Sequence, residues 1–465
     1  MKKKVLSVIL ATVIMTSTLA ACGSDVNTNT VPKADSEEAK ENTPDPEISE
    51  DGNGNVETVT LRLWGGVPPE AGPQASCDLF NEQYKDKGIQ VEYERFVNDD
   101  TGNMKLETNL LSGTGVDLYM SYTPDHLAKR ASGDMALDLT ELMEKDGFDL
   151  ESYVGDMAEA YYVDGKPYSL PTKSDKYGIV INKDMFDEAG IAIPTEWTYE
   201  EFREIARQLT HGEGQDRVYG MFWNSQQDLT YALQYLSTQT LGGDPMYKTE
   251  NETRFSDPVN IASVGLIRDM MLEDKTSPTH TDSVTQKLSQ EGMFLTGKAA
   301  MTIGPWMVRS IKDMENYPHD FVTAFAPYPV VEKGQRNYTQ GGYGDHLCIN
   351  PKSQNVEAAW EFAKWYATQG MLPVAEGGRV PSFKTYDPQE VTNAFLKGGE
   401  ELLDAETTKK VLIEPANNYA VPTITNHIPE IKKIFTEEME KLLLGNVTVE
   451  EAMGNADERS HEILN

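Results

Sequence analysis

Apolar positions along the chain switch between a spacing of two and a spacing of three to four, and the switches lay out the elements. Residues 59–64 alternate and end in Gly65-Gly66, the pattern of a strand running into a turn. A helix is expected over 72–85 with Leu79 and Phe80 on its apolar side, then a strand over 89–96. A helix over 104–111 and a strand over 116–120 follow. This β-α-β-α-β alternation predicts an α/β fold with a largely parallel sheet. Residues 166–171 read as an extended crossing segment, and 177–182 as a strand leading into a helix that Gly190 stops. Thr198 stands three residues before Glu201, the spacing of a capping box. Residues 218–223 read as another strand ending in a tryptophan. In 292–314, Gly297 ends a helix, 299–303 forms a short buried strand, and Gly304-Pro305 opens a new helix beside Trp306. Further on come a strand over 321–326, Gly341-Gly342-Tyr343-Gly344 before a strand over 346–350, and a helix over 356–366. Two packed helices, 429–444 and 449–464, close the chain, with Ile431, Ile434, Phe435 and Leu442 on one face.

Length and charge narrow the picture. A chain of 465 residues exceeds one compact core, so two lobes are expected. A net charge of −34 would repel phosphate backbones and argues against a nucleic-acid partner. Lys2 to Lys4 precede an apolar run over 5–19 that is short for a membrane span, and Leu19-Ala20-Ala21-Cys22 ends it. This start resembles a bacterial lipoprotein signal, which implies a diacylglyceryl group on Cys22; a secretory peptide with a chance cysteine is the bland alternative. The signal is taken as 1–22. Residues 23–56, polar and nearly free of large apolar side chains, read as a disordered acidic tether. Cys77 and Cys348 lie far apart and out of metal spacing. Two buried thiols are expected, with a disulfide as the alternative.

Motifs of catalysis are missing. The chain has no GxSxG, HExxH or GxxxxGK[ST], and its seven histidines are scattered. No metal and no cofactor is expected; Asp99-Asp100 falls short of a calcium loop. What remains is a set of aromatic and acidic residues at predicted strand ends: Trp64, Tyr122, Asp125, Asp175, Trp223, Trp306 and Tyr343, with Asp345 two residues beyond. Flat aromatic faces suit the C–H faces of sugar rings, and carboxylates suit their hydroxyls, so the set points to carbohydrate. Each residue alone also has a packing explanation, Trp306 foremost.

The chain resembles the extracellular solute-binding proteins of bacterial ABC importers, the group that includes maltose-binding protein. The resemblance rests on the Cys22 lipobox, on PYSLPTKSDKYGIVINKDMFDEAGI (167–191), GKAAMTIGPW (297–306), AAWEFAKW (358–365) and GGRVPS (377–382). It implies a type II periplasmic-binding-protein fold, two α/β lobes around a hinged cleft. Lobe 1 would be 57–170 plus 346–392 and lobe 2 171–345 plus 393–465, with crossings near 168–173, 341–345 and 390–395. By resemblance, Trp306 stacks on sugar, Asp175 takes sugar hydroxyls, Trp64 lies near ligand and Asp117 holds a loop. Ser121 stands where a stacking tryptophan belongs in maltose-binding protein, with Tyr122 beside it, and Trp223 has no counterpart there; both speak against maltose itself. The implied protein is a monomer anchored by lipid on the extracellular face of the cell membrane. It would capture a sugar, an oligosaccharide first, for an ABC permease. The alternatives are an extracellular glycan-degrading enzyme and a binder of a non-sugar solute such as glycerol phosphate or a peptide.

Overall fold

The computed structural model describes residues 58–155, 157–226, 228–304, 307–414, 419–420 and 427–465. The signal segment with Cys22, the tether 23–56 and Trp306 lie outside the described residues. Among the described residues the strands are, in chain order, β1 (Val59–Gly65), β2 (Ile89–Arg95), β3 (Leu118–Ser121), β4 (Leu170–Lys176), β5 (Ile179–Asn182) and β6 (Tyr247–Thr249). They continue with β7 (Glu252–Thr253), β8 (Met301–Ile303), β9 (Thr323–Ala326), β10 (Gly341–Ile349) and β11 (Val380–Pro381).

Two sheets organise the body. The larger has the order β11-β4-β10-β3-β1-β2, and the smaller is β8-β5-β9. The expected parallel unit is present: β1 pairs in parallel with both β2 and β3. Beyond it the expectation of a largely parallel sheet fails. β10 runs antiparallel to β3 and β4, and β8 and β9 both run antiparallel to β5. The reason lies in the chain path. β4 continues into β5 across two residues, and the chain returns from β9 to β10, so the returning strands run against those that left.

The cores follow the alternation of the strands. Leu61 and Leu63 of β1 are buried with Leu118, Leu347 and Trp360. Ile179 and Ile181 of β5 pack on Trp223, Met301 and Phe435, whereas Val180 between them faces Phe294, Phe325 and Phe395. That is the period of two expected of a strand covered on both faces. The capping box at Thr198 is formed, and a second one, Thr448 with Glu451, starts the last helix. Gly297 has φ 69° and its N–H reaches the Phe294 carbonyl, the expected helix stop. Asp117 accepts the Arg62 backbone N–H at 2.9 Å and the Ser353 hydroxyl, a loop-holding role. Cys77 and Cys348 are free and buried, and burial pushes both thiols up to about 12.

Residues 218–223 do not become a full strand. Tyr219 and Phe222 make isolated parallel bridges to Ala299 and Thr302, but the N–H groups between them go elsewhere. Gly220 donates to the Thr210 hydroxyl and Met221 to the Thr276 carbonyl. A Cβ on Gly220 would meet the Ala206 carbonyl at 2.0 Å, so this backbone lies on the helix Tyr199–Leu209 rather than in a ladder.

β10 carries the main irregularity. Asp345 sits at φ 45°, its carbonyl accepts the Thr172 hydroxyl, and its carboxylate holds Arg379 at 2.7 Å. Burial alone would raise the Asp345 carboxyl, but Arg379 and Lys173 outweigh it and hold it below the usual range.

Two outcomes follow for stability. Trp223→Ala should cost roughly 3–5 kcal/mol in denaturant unfolding, as for a large core aromatic; a loss under about 1 kcal/mol would contradict its place in the core. Asp345→Asn should cost roughly 2–3 kcal/mol at neutral pH by leaving the largely covered Arg379 guanidinium without its carboxylate. Because the folded carboxyl is depressed, its contribution is full above the unfolded value near 4. The gap between variant and parent should therefore close as pH falls below about 4. A gap constant from pH 7 to 3 in paired unfolding curves would refute the ion-pair account.

Candidate functional site

The crossing strands place the candidate site. β4 pairs with β10 from Leu347↔Leu170 to Gly341↔Lys176, and at its end the glycine-rich start of β10 lies against Asp175. A Cβ on Gly341 would sit 1.7 Å from the Asp175 carbonyl, and one on Gly342 would sit 2.3 Å from the Tyr161 hydroxyl oxygen. Both glycines have positive φ, 123° and 146°, so these two positions require glycine twice over.

Beside this contact lies a cavity of about 400 Å³. Tyr122 and Asp125 line it from the end of β3 and the helix that follows. Asp175, Tyr177 and Tyr343 line it from the crossing strands, and Tyr161 joins them. Gln234, Tyr235 and Thr238 come from a further wall, with Asp244, Met246, Ile428 and Lys432. That wall contains a π-helical turn, Leu233–Ser237. The turn widens the helix and leaves backbone groups to be satisfied from outside. Gln340, next to the glycine run, donates its side-chain amide to the Tyr235 carbonyl.

Tyrosines dominate the lining, and they hold one another. Tyr235 stacks on Tyr328 with centroids 5.2 Å apart and meets Tyr177 edge-on at 5.4 Å. Tyr343 lies 5.6 Å from Tyr161 and 5.5 Å from Tyr419. The Tyr161 hydroxyl accepts the Tyr343 N–H at 2.7 Å, the Tyr343 hydroxyl donates to the Val154 carbonyl, and the Tyr122 hydroxyl accepts the Gly66 N–H. Burial pushes the Tyr161 hydroxyl up to about 12 and raises those of Tyr122, Tyr177 and Tyr235 further. All stay protonated at neutral pH and offer donors as well as ring faces. Asp175 is held by Lys173 at 2.5 Å. Asp244 accepts the Met246 N–H at 2.8 Å, and burial raises its carboxyl. The arrangement is a concave, partly apolar wall with a few fixed polar groups, the form of a small-molecule site. Among the described residues no His, Cys, Asp or Glu group is gathered to hold a metal.

Of the residues singled out in the sequence, Tyr122, Asp125, Asp175 and Tyr343 come together on this cavity. Three others do not. Trp223 is 0% exposed in the core under β5, and Trp64 is 4% exposed among Phe96, Leu106, Leu110 and Tyr119. Neither ring has a face for a sugar, because both are packed into cores. Asp345 is committed to Arg379. Trp306 lies outside the described residues. Sequence reasoning missed Tyr161, Tyr235, Gln234, Thr238, Asp244 and Lys432. Tyr177 lies inside the 167–191 motif and Gln340 directly precedes the glycine run, but neither was singled out for the site.

Known proteins share the fold of this chain. Residues 69–371 match the sequence model of the bacterial extracellular solute-binding protein family. The maltotriose-binding protein of Pyrococcus abyssi is 24% identical over 266 residues, 57% of this chain and 53% of that protein. The sn-glycerol-3-phosphate-binding periplasmic protein of Pectobacterium atrosepticum is 21% identical over 439 residues, 87% of this chain and 91% of that one. A sugar transporter from Rhizobium etli, solved in an open conformation, superposes with a TM-score of 0.72 at 20% identity, covering 87% of this chain and 99% of its own. The two-lobed type II fold is thereby shared, and the chain belongs to the bacterial extracellular solute-binding protein family.

Proposed function

We propose that the protein captures a carbohydrate, an oligosaccharide first, in the tyrosine-lined cavity and delivers it to an ABC permease. The observation that carries this reading is the make-up of the cavity. Its walls come from the end of β3, from the two crossing strands and from the π-helical turn, and all present aromatic faces beside carboxylate and amide groups. Rings and hydroxyls of a sugar would find both kinds of partner there. The maltotriose-binding relative supports the same class of ligand. The proposed lobes are 57–170 plus 346–392 and 171–345 plus 393–465, built on the larger and smaller sheets, with β4 and β10 as the strands between them. A ligand touching both would favour the closed arrangement by its extra contacts there, and a permease would read that closed form. Trp306 is proposed as a further stacking residue, as the family resemblance implies. Lipid on Cys22 would hold the protein at the outer face of the cell membrane, since two acyl chains suffice for stable anchoring.

Isothermal titration of the detergent-solubilised full chain with mono- and oligosaccharides tests this. One saccharide class should bind, with no reducing ends released afterwards. Tyr235→Ala should weaken it by about 2 kcal/mol or more, roughly thirtyfold, as for a buried aromatic anchor. Release of reducing ends would favour a glycan-degrading enzyme, and wild-type affinity in Tyr235→Ala would move the site elsewhere.

A further inference from the structure

A second, smaller compartment of about 130 Å³ shares Asp175 and Tyr177 with the main cavity, and its other walls include Lys173, Arg309 and Arg379. In a chain of net charge −34 a gathering of three cations stands out. They reach it from three separate segments. Lys173 is on β4, Arg309 follows Val308 in the short helix after β8, and Arg379 precedes β11. Gly378, with φ 87°, brings the backbone before Arg379 against Val308, which sets the two arginines on one compartment. Two of the cations have carboxylates: Lys173 has Asp175 at 2.5 Å and Arg379 has Asp345 at 2.7 Å. Arg309 has no ion-pair partner among the described residues. Arg309 is exposed as a residue, yet lost hydration of its guanidinium, and then the like charges of Arg379 and Arg95, disfavour its charged form, with Glu70 as the opposing charge nearby. Such an arrangement is relieved by an anion, and a guanidinium is the group best shaped to bind a carboxylate or phosphate through two parallel hydrogen bonds.

We propose that this compartment is a subsite for an anionic substituent, a carboxylate or a phosphate, carried by the saccharide in the main cavity. The inference rests on the carbohydrate reading above and narrows it to acidic sugars. Asp175, common to both spaces and held by Lys173, marks the boundary between the neutral part of the ligand and its charged end.

The test is titration of the solubilised full chain and its Arg309→Gln variant with matched pairs. These are neutral oligosaccharides and their uronate or phosphorylated counterparts, with sn-glycerol 3-phosphate and inorganic phosphate alongside. At least one acidic member should bind tenfold or more tighter than its neutral partner. The preference should shrink as salt rises from 50 to 300 mM, and Arg309→Gln should bring the ratio of the two affinities towards one. Uronates and sugar phosphates separate the two sources of charge. Equal affinity within every pair, or an Arg309→Gln loss shared equally by both members, would overturn the subsite and leave the carbohydrate reading standing. Binding of sn-glycerol 3-phosphate without any saccharide would do the reverse, keeping the anion site and overturning the sugar. No binding by any probe would overturn both.

Discussion

The site depends on how closely β10 can approach β4. Gly341 and Gly342 lie where any side chain would strike the Asp175 carbonyl or the Tyr161 hydroxyl, and their φ values exclude other residues on conformational grounds as well. That contact aligns Asp175 and Tyr343 on one wall. In the same strand Asp345 reaches Arg379, which precedes β11, across β4. From the same segment Gln340 reaches the π-helical turn and satisfies the Tyr235 carbonyl. One glycine-rich strand start therefore joins the crossing strands, the aromatic wall and the buried ion pair.

Tyrosine rather than tryptophan gives the described cavity its character. Rings that stack on one another lose little freedom on meeting a ligand, because their positions are already fixed by Tyr328, Tyr419 and their own hydroxyl partners. Tyrosine hydroxyls are protonated at neutral pH and burial raises those of Tyr161 and Tyr235 further, so these ring edges can donate to an ether or hydroxyl oxygen, whereas the Tyr343 hydroxyl already donates to the Val154 carbonyl. Tryptophans were the more visible candidates in the sequence, and the structure uses Trp64 and Trp223 to fill cores instead. Trp360 and Trp365 are likewise buried, with their N–H groups on Asp146 and Gln83.

Local patterns were legible because they rest on local physics. The alternation of β1, the capping box at Thr198 and the stop at Gly297 each follow from a few neighbouring residues. The family was legible too, from motifs at 167–191, 297–306, 358–365 and 377–382, and residues 69–371 match its sequence model. What escaped depends on contacts between distant segments. Tyr161 lies 181 residues from Gly342, which it meets, and Tyr235 enters the wall through a π-turn that no side-chain period announces. The 218–223 segment has a strand's composition, yet Thr210 and Thr276 draw its N–H groups away. Arg309 and Arg379 stand 70 residues apart in the chain, and the turn at Gly378 brings them onto one compartment.

Peptide-resolved hydrogen exchange, with and without the tightest-binding saccharide, bears most directly on the central claim. A ligand held between the crossing strands and the π-helical turn should slow exchange together in 122–126, 174–178, 233–239 and 340–345, while the cores around Trp223 and Trp360 stay as they were. Protection confined to one of these segments, or found instead at the far surface around Arg217 and Tyr219, would contradict the account.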